Sequence, residues 1–181
     1  MTNPFDVSGR TIIITGGAGL LGREYGRALT AAGASVVLAD INDACVAAVA
    51  ADLGGQPGTA IGVGVDVTDE ASVARLVTTT LVKFGRIDGL VNTAALNPSF
   101  VRGRGAEFDA PFEEYSLDAW NRTLATNLTG MFLCAREVAP TMLAQQRDTS
   151  PSPIPSPRAA SSASHAISPR TGPGPASGST R

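Results

Sequence analysis

The sequence predicts an α/β fold built on a parallel sheet, and three observations carry that prediction. Short apolar runs rich in β-branched residues recur before residue 93. Stretches with apolar residues at helical spacing lie between them. The first run ends at a glycine cluster that opens a helix. Continuous apolar runs suit strands covered on both faces. Strict strand–helix alternation implies parallel strands joined by right-handed crossovers.

The elements follow in order. Residues 11–15, Thr-Ile-Ile-Ile-Thr, form the first strand. From Leu20 to Ala32 the spacing is helical, with Leu21, Tyr25, Ala28, Leu29 and Ala32 on one face and Gly33 as the stop. Residues 35–39 form a second strand that ends at Asp40. Asn42 can cap a helix running to about Leu53. A third strand is expected from Ala60 to Val65. Thr68 is expected to cap the next helix, where Asp69 and Glu70 suit the positive end of the dipole. Val73, Leu76, Val77, Leu81 and Phe84 give that helix its apolar face. A fourth strand, 87–92, follows Gly85. Residues 93–116 read as a polar loop containing Asn97-Pro98, Gly103 and Gly105. A long helix is expected from about Leu117 to Gln146, with a stripe of Leu117, Trp120, Leu124, Leu128, Met131, Ala135, Val138 and Met142.

Next in the alternation a fifth strand is due. The sequence instead reads Ser-Pro-Ser-Pro-Ile-Pro-Ser-Pro, and prolines at alternate positions cannot donate to a ladder. Residues 149–181 hold seven of the twelve prolines, nine serines and no Leu, Val, Phe, Met, Tyr or Trp. Such a segment buries too little surface to offset its ordering entropy and reads as a disordered Pro/Ser-rich tail. The core-forming domain is thus expected over residues 1–148.

Charge sharpens this division. The chain has 14 basic and 16 acidic side chains. Every acid lies at or before Asp148, so residues 1–148 carry −5 and the tail +3. An acidic domain argues against nucleic acid as partner. No apolar run approaches the ~20 residues of a membrane helix. The start, Met-Thr-Asn-Pro-Phe-Asp, lacks the basic and apolar parts of a signal peptide. Cys45 and Cys134 read as buried, reduced thiols. These features together predict a cytoplasmic protein. His165 is the sole histidine and has no ligand-like neighbours, so neither a histidine-based metal site nor a catalytic triad is expected.

The chemistry lies in Gly17-Ala18-Gly19-Leu20-Leu21-Gly22, which reads G-x-G-x-x-G. It follows a strand, opens a helix, and is succeeded by an acid, Asp40, at the end of the next strand. Together these conditions form a dinucleotide fingerprint. Glycines let the backbone approach a pyrophosphate, and the helix N-terminus presents N–H groups to it. Asp40 can accept from both ribose hydroxyls, and its charge would repel a 2′-phosphate, which favours NAD over NADP. A tight strand-to-helix turn with a solvent-facing Asp is the plain structural alternative, and a methyltransferase-like glycine loop is another. A P-loop is excluded because the only lysine, Lys83, is followed by Phe84.

These residues resemble the short-chain dehydrogenase/reductase family. The segment Thr15-Gly16-Gly17-Ala18-Gly19-Leu20-Leu21-Gly22 is similar to its cofactor loop, T-G-x-x-x-G-x-G, with Leu20 in place of the second-last glycine. Asp66-Val67 resembles the pair that holds adenine in relatives. Leu90-Val91-Asn92-Thr93-Ala94-Ala95 resembles the N-N-A-G strand end, with Thr93 and Ala95 replacing Asn and Gly. Trp120-Asn121 and Asn127-Leu128-Thr129-Gly130 resemble the helix carrying the family's catalytic asparagine. Asn127 is also expected on the buried stripe, where an amide needs hydrogen-bond partners. The resemblance spans roughly residues 7–146. It implies a Rossmann-type doubly wound parallel sheet, here truncated after the fourth strand and the long following helix. It implies a nicotinamide dinucleotide, hydride transfer between a small alcohol and a ketone, and homo-oligomers among relatives. The implied cofactor contacts are Gly16, Gly17, Gly19, Leu21, Gly22, Asp40, Ile41, Asp66, Val67, Asn92 and Ala94, and the implied catalytic residue is Asn127.

In relatives a serine and a Tyr-x-x-x-Lys pair complete the site: Tyr is the general acid/base, and Lys lowers its pKa and grips the nicotinamide ribose. The two tyrosines here are Tyr25 and Tyr115, and four residues on stand Leu29 and Ala119. Without the phenol, catalysis is expected to fall by ~10²–10⁴-fold or more. The abrupt change near Arg147 is expected to mark a frameshifted tail, and the fourth strand is then expected to form an open sheet edge.

Overall fold

The computed structural model describes residues 5–96 and 110–149. Most of the expected polar loop and all but the first residue of the expected tail lie outside the described residues. Four strands form one parallel sheet: β1 (Thr11–Thr15), β2 (Ser35–Asp40), β3 (Thr59–Gly64) and β4 (Gly89–Asn92), in the order β3-β2-β1-β4. Between them run α1 (Leu20–Ala31), α2 (Asp43–Asp52) and α3 (Glu70–Phe84). A single 3-10 turn, Phe112–Glu114, precedes α4 (Leu117–Leu124). A π-helical turn at Ala125–Thr129 then leads into α5 (Gly130–Thr149).

The β-branched strands divide their side chains between two apolar layers, as the two-residue period of a strand demands. Ile12, Ile14, Val36 and Leu38 face Val46, Val49, Ala50 and Leu53 of α2 and its cap. Ile13, Val37 and Ala39 face Val73, Leu76 and Val77 of α3 and Leu133, Cys134 and Val138 of α5. Full burial of such a side chain is worth ~1.5–3 kcal/mol. These layers therefore hold the strand ends in place.

Several expectations need correction. The face that α1 buries is Gly22, Gly26 and Thr30, with Leu29 packed at its side; Leu21 and Tyr25 point outward, 56% and 41% exposed. Small residues let this helix lie close on the sheet, and a Cβ on Gly26 would stand 3.0 Å from Leu38 Cδ2. Asp69, not Thr68, caps α3: its carboxylate accepts from Ala71 N at 3.1 Å. The long helix is interrupted by the π turn, and its inward residues are Ala119, Leu133, Cys134 and Val138. Of the expected stripe, Val138 is buried and Met142 packs on the core, while Leu117, Trp120, Leu128 and Met131 are exposed. Cys45 is half-exposed rather than buried; both thiols are free.

The start of β4 is tied down without strand pairing. Gln145 of α5 reaches Ile87, accepting from its N–H at 3.0 Å and donating to its carbonyl at 2.7 Å. Asp88 N–H donates to the Thr11 carbonyl at 2.7 Å. Among the described residues β4 is a sheet edge. No helix among them is long and apolar enough to cross a membrane.

Candidate dinucleotide site

Register brings the C-terminal ends of the strands level: Thr15 stands beside both Ala39 and Asn92, and Asp40 beside Gly64. The strand order reverses between β1 and β4, and a crevice opens at such a switch point. The glycine loop sits there. Gly16 has φ +70°, and a Cβ on it would come within 2.8 Å of Ala94 N, so glycine is required twice over. Gly17 N donates to Ala39 O at 2.9 Å, and Gly19 N to Gly16 O at 3.0 Å. A Cβ on Gly22 would run into the Gly16 carbonyl and stand 2.7 Å from Gly17 Cα, so α1 begins in contact with the loop. No side chain caps α1 at Gly19 and no acid occupies its first turn. Its leading N–H groups and dipole therefore present an unopposed positive end to the crevice.

Two carboxylates frame this crevice. Asp40, at the end of β2, accepts from Ala18 N through Oδ2 at 3.0 Å and from Asn42 N through Oδ1 at 3.1 Å. It therefore links the glycine loop to the β2–α2 turn. Asp66 accepts from Thr68 N and Thr68 Oγ1 at 2.8 and 2.7 Å, both through Oδ1. Gly16, Asp40, Ile41, Asp66, Val67 and Ala94 line one cleft together. Ala39, Val65, Ala95, Leu96 and Thr126 also line it. No sequence signal singles out the last two, because they meet the others only through the fold.

The remaining predicted residues stand around the cleft. Gly17 packs on Leu38, where a Cβ would come within 2.7 Å of the leucine Cβ. Leu21 lies outside the lining on the exposed first turn of α1. Asn92 ends β4 with its Oδ1 buried and, among the described residues, without a hydrogen-bond partner, an orphaned acceptor of the kind a bound ligand can satisfy. Asn127 sits in the π turn and brackets one residue of the loop after β4: Oδ1 accepts from Leu96 N at 2.7 Å and Nδ2 donates to Leu96 O at 3.2 Å. That places the expected amide partners on the backbone. π turns recur at functional positions because they re-aim a side chain within a helix.

A further clasp went unread in the sequence. The buried Thr15 hydroxyl accepts from Thr93 N and Ala94 N, each at 3.2 Å, and the Thr93 hydroxyl donates to the Thr15 carbonyl. The signal was a polar residue closing an otherwise apolar strand. Lys83, by contrast, lies in the last turn of α3, which returns the chain to the opposite edge of the sheet.

Residues 10–149 match the family model described as short chain dehydrogenase. The chain belongs to the short-chain dehydrogenases. It is 39% identical over 131 residues to the 2,5-dichloro-2,5-cyclohexadiene-1,4-diol dehydrogenase of Sphingobium indicum, a match covering 72% of this chain and 48% of that protein. It is 38% identical over 139 residues to the D-threitol dehydrogenase of Mycolicibacterium smegmatis, covering 77% and 50%. Among solved structures it is similar to NAD+-bound xylitol dehydrogenase, with a TM-score of 0.68, 28% identity, and coverage of 77% of this chain and 50% of that one. The chain therefore spans about half the length of these curated relatives. The parallel Rossmann-type sheet is shared with the solved structure.

Proposed function

We propose that this chain binds NAD in the cleft between the glycine loop and the ends of β2–β4, within an oxidoreductase that transfers hydride between a small alcohol and a ketone. One observation carries the reading above the others: the Asp40 carboxylate is fixed beside the glycine loop by two backbone N–H groups. A carboxylate so placed accepts from the two ribose hydroxyls and repels a 2′-phosphate, so NAD is preferred over NADP. In this reading Gly16, Gly17, Gly19 and Gly22 let the pyrophosphate approach the start of α1, whose first N–H groups bind it. Leu21 and Ile41 flank the path, Asp66 and Val67 receive the adenine, and Asn92 and Ala94 lie beside the nicotinamide ribose. The nicotinamide ring, when bound, supplies the hydride chemistry. Asn127 holds Leu96, and so the wall of the cleft, in position.

The 181 residues hold no Tyr-x-x-x-Lys. This favours cofactor binding without turnover in the chain as it stands, because no tuned phenol moves the proton. Calorimetric titration with NAD and NADP tests the first part. The expected outcome is binding of NAD with NADP weaker by roughly tenfold or more, and Asp40→Asn should narrow that gap. Absence of any NAD binding would refute it. An assay of alcohol-dependent NADH formation tests the second part, where measurable turnover would refute the claim of inactivity.

A further inference from the structure

Resting on the dinucleotide reading, we propose that Thr68 is a positioning residue for purine recognition: it fixes the rotation of Asp66 so that one carboxylate oxygen is committed to the protein and the other is left for the base. Asp66 Oδ1 takes both donors of Thr68, the backbone N–H at 2.8 Å and the hydroxyl at 2.7 Å. Among the described residues no hydrogen bond reaches Oδ2. The Asp66 backbone is also held, its N–H donating to the hydroxyl of the buried Ser72 at 3.2 Å and its carbonyl accepting from Asp69 N at 3.2 Å. Backbone and carboxylate are therefore both immobilised before any ligand arrives, and preorganisation of this kind lowers the ordering cost of binding.

The need to start α3 does not account for the Thr68 hydroxyl. Capping of that helix is done by Asp69. Thr68 is exposed and is not part of the cleft lining, whereas Asp66 is. The hydroxyl thus acts from behind the carboxylate. An oriented, ionised acceptor selects a base edge that offers an N–H donor and disfavours one that offers a carbonyl. Adenine presents an exocyclic amino group; hypoxanthine presents an oxygen in its place.

The test compares NAD with nicotinamide hypoxanthine dinucleotide by titration calorimetry on the full chain, as wild type and as Thr68→Val and Thr68→Ser. Wild type is expected to prefer NAD. Thr68→Val should weaken NAD by about fivefold, the worth of one net hydrogen bond, and should change the hypoxanthine analogue by less than about twofold. Thr68→Ser, which retains the hydroxyl, should restore the preference. Circular dichroism melting of each variant verifies folding. Equal losses for both dinucleotides, no loss for either, or failure of serine to rescue would overturn the role of Thr68 while leaving the dinucleotide reading intact. A wild-type chain that binds neither overturns that reading, and this one with it.

Discussion

Replacing Asp88 with alanine should destabilise the domain by about 2–4 kcal/mol at neutral pH, and the structure shows where that loss arises. The Asp88 carboxylate accepts from Thr11 N at 2.9 Å, from Arg86 Nε and Nη2 at 2.7 and 2.6 Å, and from Arg10 Nη1 at 3.2 Å. Thr11 is 2% exposed, so its N–H would be left unpaired away from water, which costs about 1–3 kcal/mol. The two arginines are about half exposed, so their pairs add at most ~1 kcal/mol each after screening. Burial works to raise the Asp88 pKa. The hydrogen bonds from Arg86, Thr11 N–H and Arg10, with the Arg86 charge, outweigh it and hold the carboxyl below the usual carboxylate range. A depressed folded pKa contributes stability above the unfolded value, near 3.9, that is lost as pH falls through the folded value. Thermal melts followed by circular dichroism should therefore show Asp88→Ala lower by about 10 °C at pH 7. The gap should shrink as the pH is taken below about 4. A neutral-pH melt within about a degree of wild type, or a gap of constant size down to the acid limit, would refute the reasoning.

Three further outcomes are expected. Gly22→Ala forces a Cβ into the Gly16 carbonyl. It should cost about 1–3 kcal/mol in urea unfolding and abolish detectable NAD binding by calorimetry; retention of both would show that the α1–loop contact is dispensable. Asn127→Ala removes both bonds to Leu96, so amide hydrogen exchange at Leu96 should speed up by about tenfold, and unchanged exchange would argue against the tether. With a thiol reagent at pH 8, the half-exposed Cys45 should react in the native state. Cys134 should react only on unfolding, because burial pushes its thiol up to about 11; two reactive thiols in the folded chain would contradict this placement.

The strands were legible because burial on both faces demands unbroken apolar runs, and Ile12, Ile13 and Ile14 have no other use. Strand ends were less so. β4 starts at Gly89 rather than Ile87 because Gln145 occupies the Ile87 backbone and Asp88 N–H goes to Thr11. Helix faces misled where large apolar residues lie opposite the core. In α1 the inner face is built of small residues, so Leu21 and Tyr25 drew attention to the wrong side. In α4 and α5 the inner face carries Ala119, Leu133, Cys134 and Val138, while Thr126 of the π turn lines the cleft, and periodicity alone cannot say which of two stripes is covered. Thr68 illustrates a related limit: Thr and Asp in succession are both competent caps, and only geometry shows which one is used. Within the site, Asp40 was readable because it closes the strand after the glycine loop, whereas Gly16, Asp66 and Ala94 were named through the family resemblance. Leu96 and Thr126 arrive from elements whose approach no local signal encodes.

The Gln145 amide imitates a neighbouring strand. A primary amide offers one acceptor and one donor on a planar frame, as a peptide unit does, and here it satisfies both Ile87 groups from a helix. An extended segment approaching this flank from solvent would find its first rung already filled. Strand addition would have to begin within the four residues of β4 itself, a length that offers few rungs for templated growth. One glutamine thereby acts as a plug, shortening the surface along which this sheet can be extended by a foreign chain.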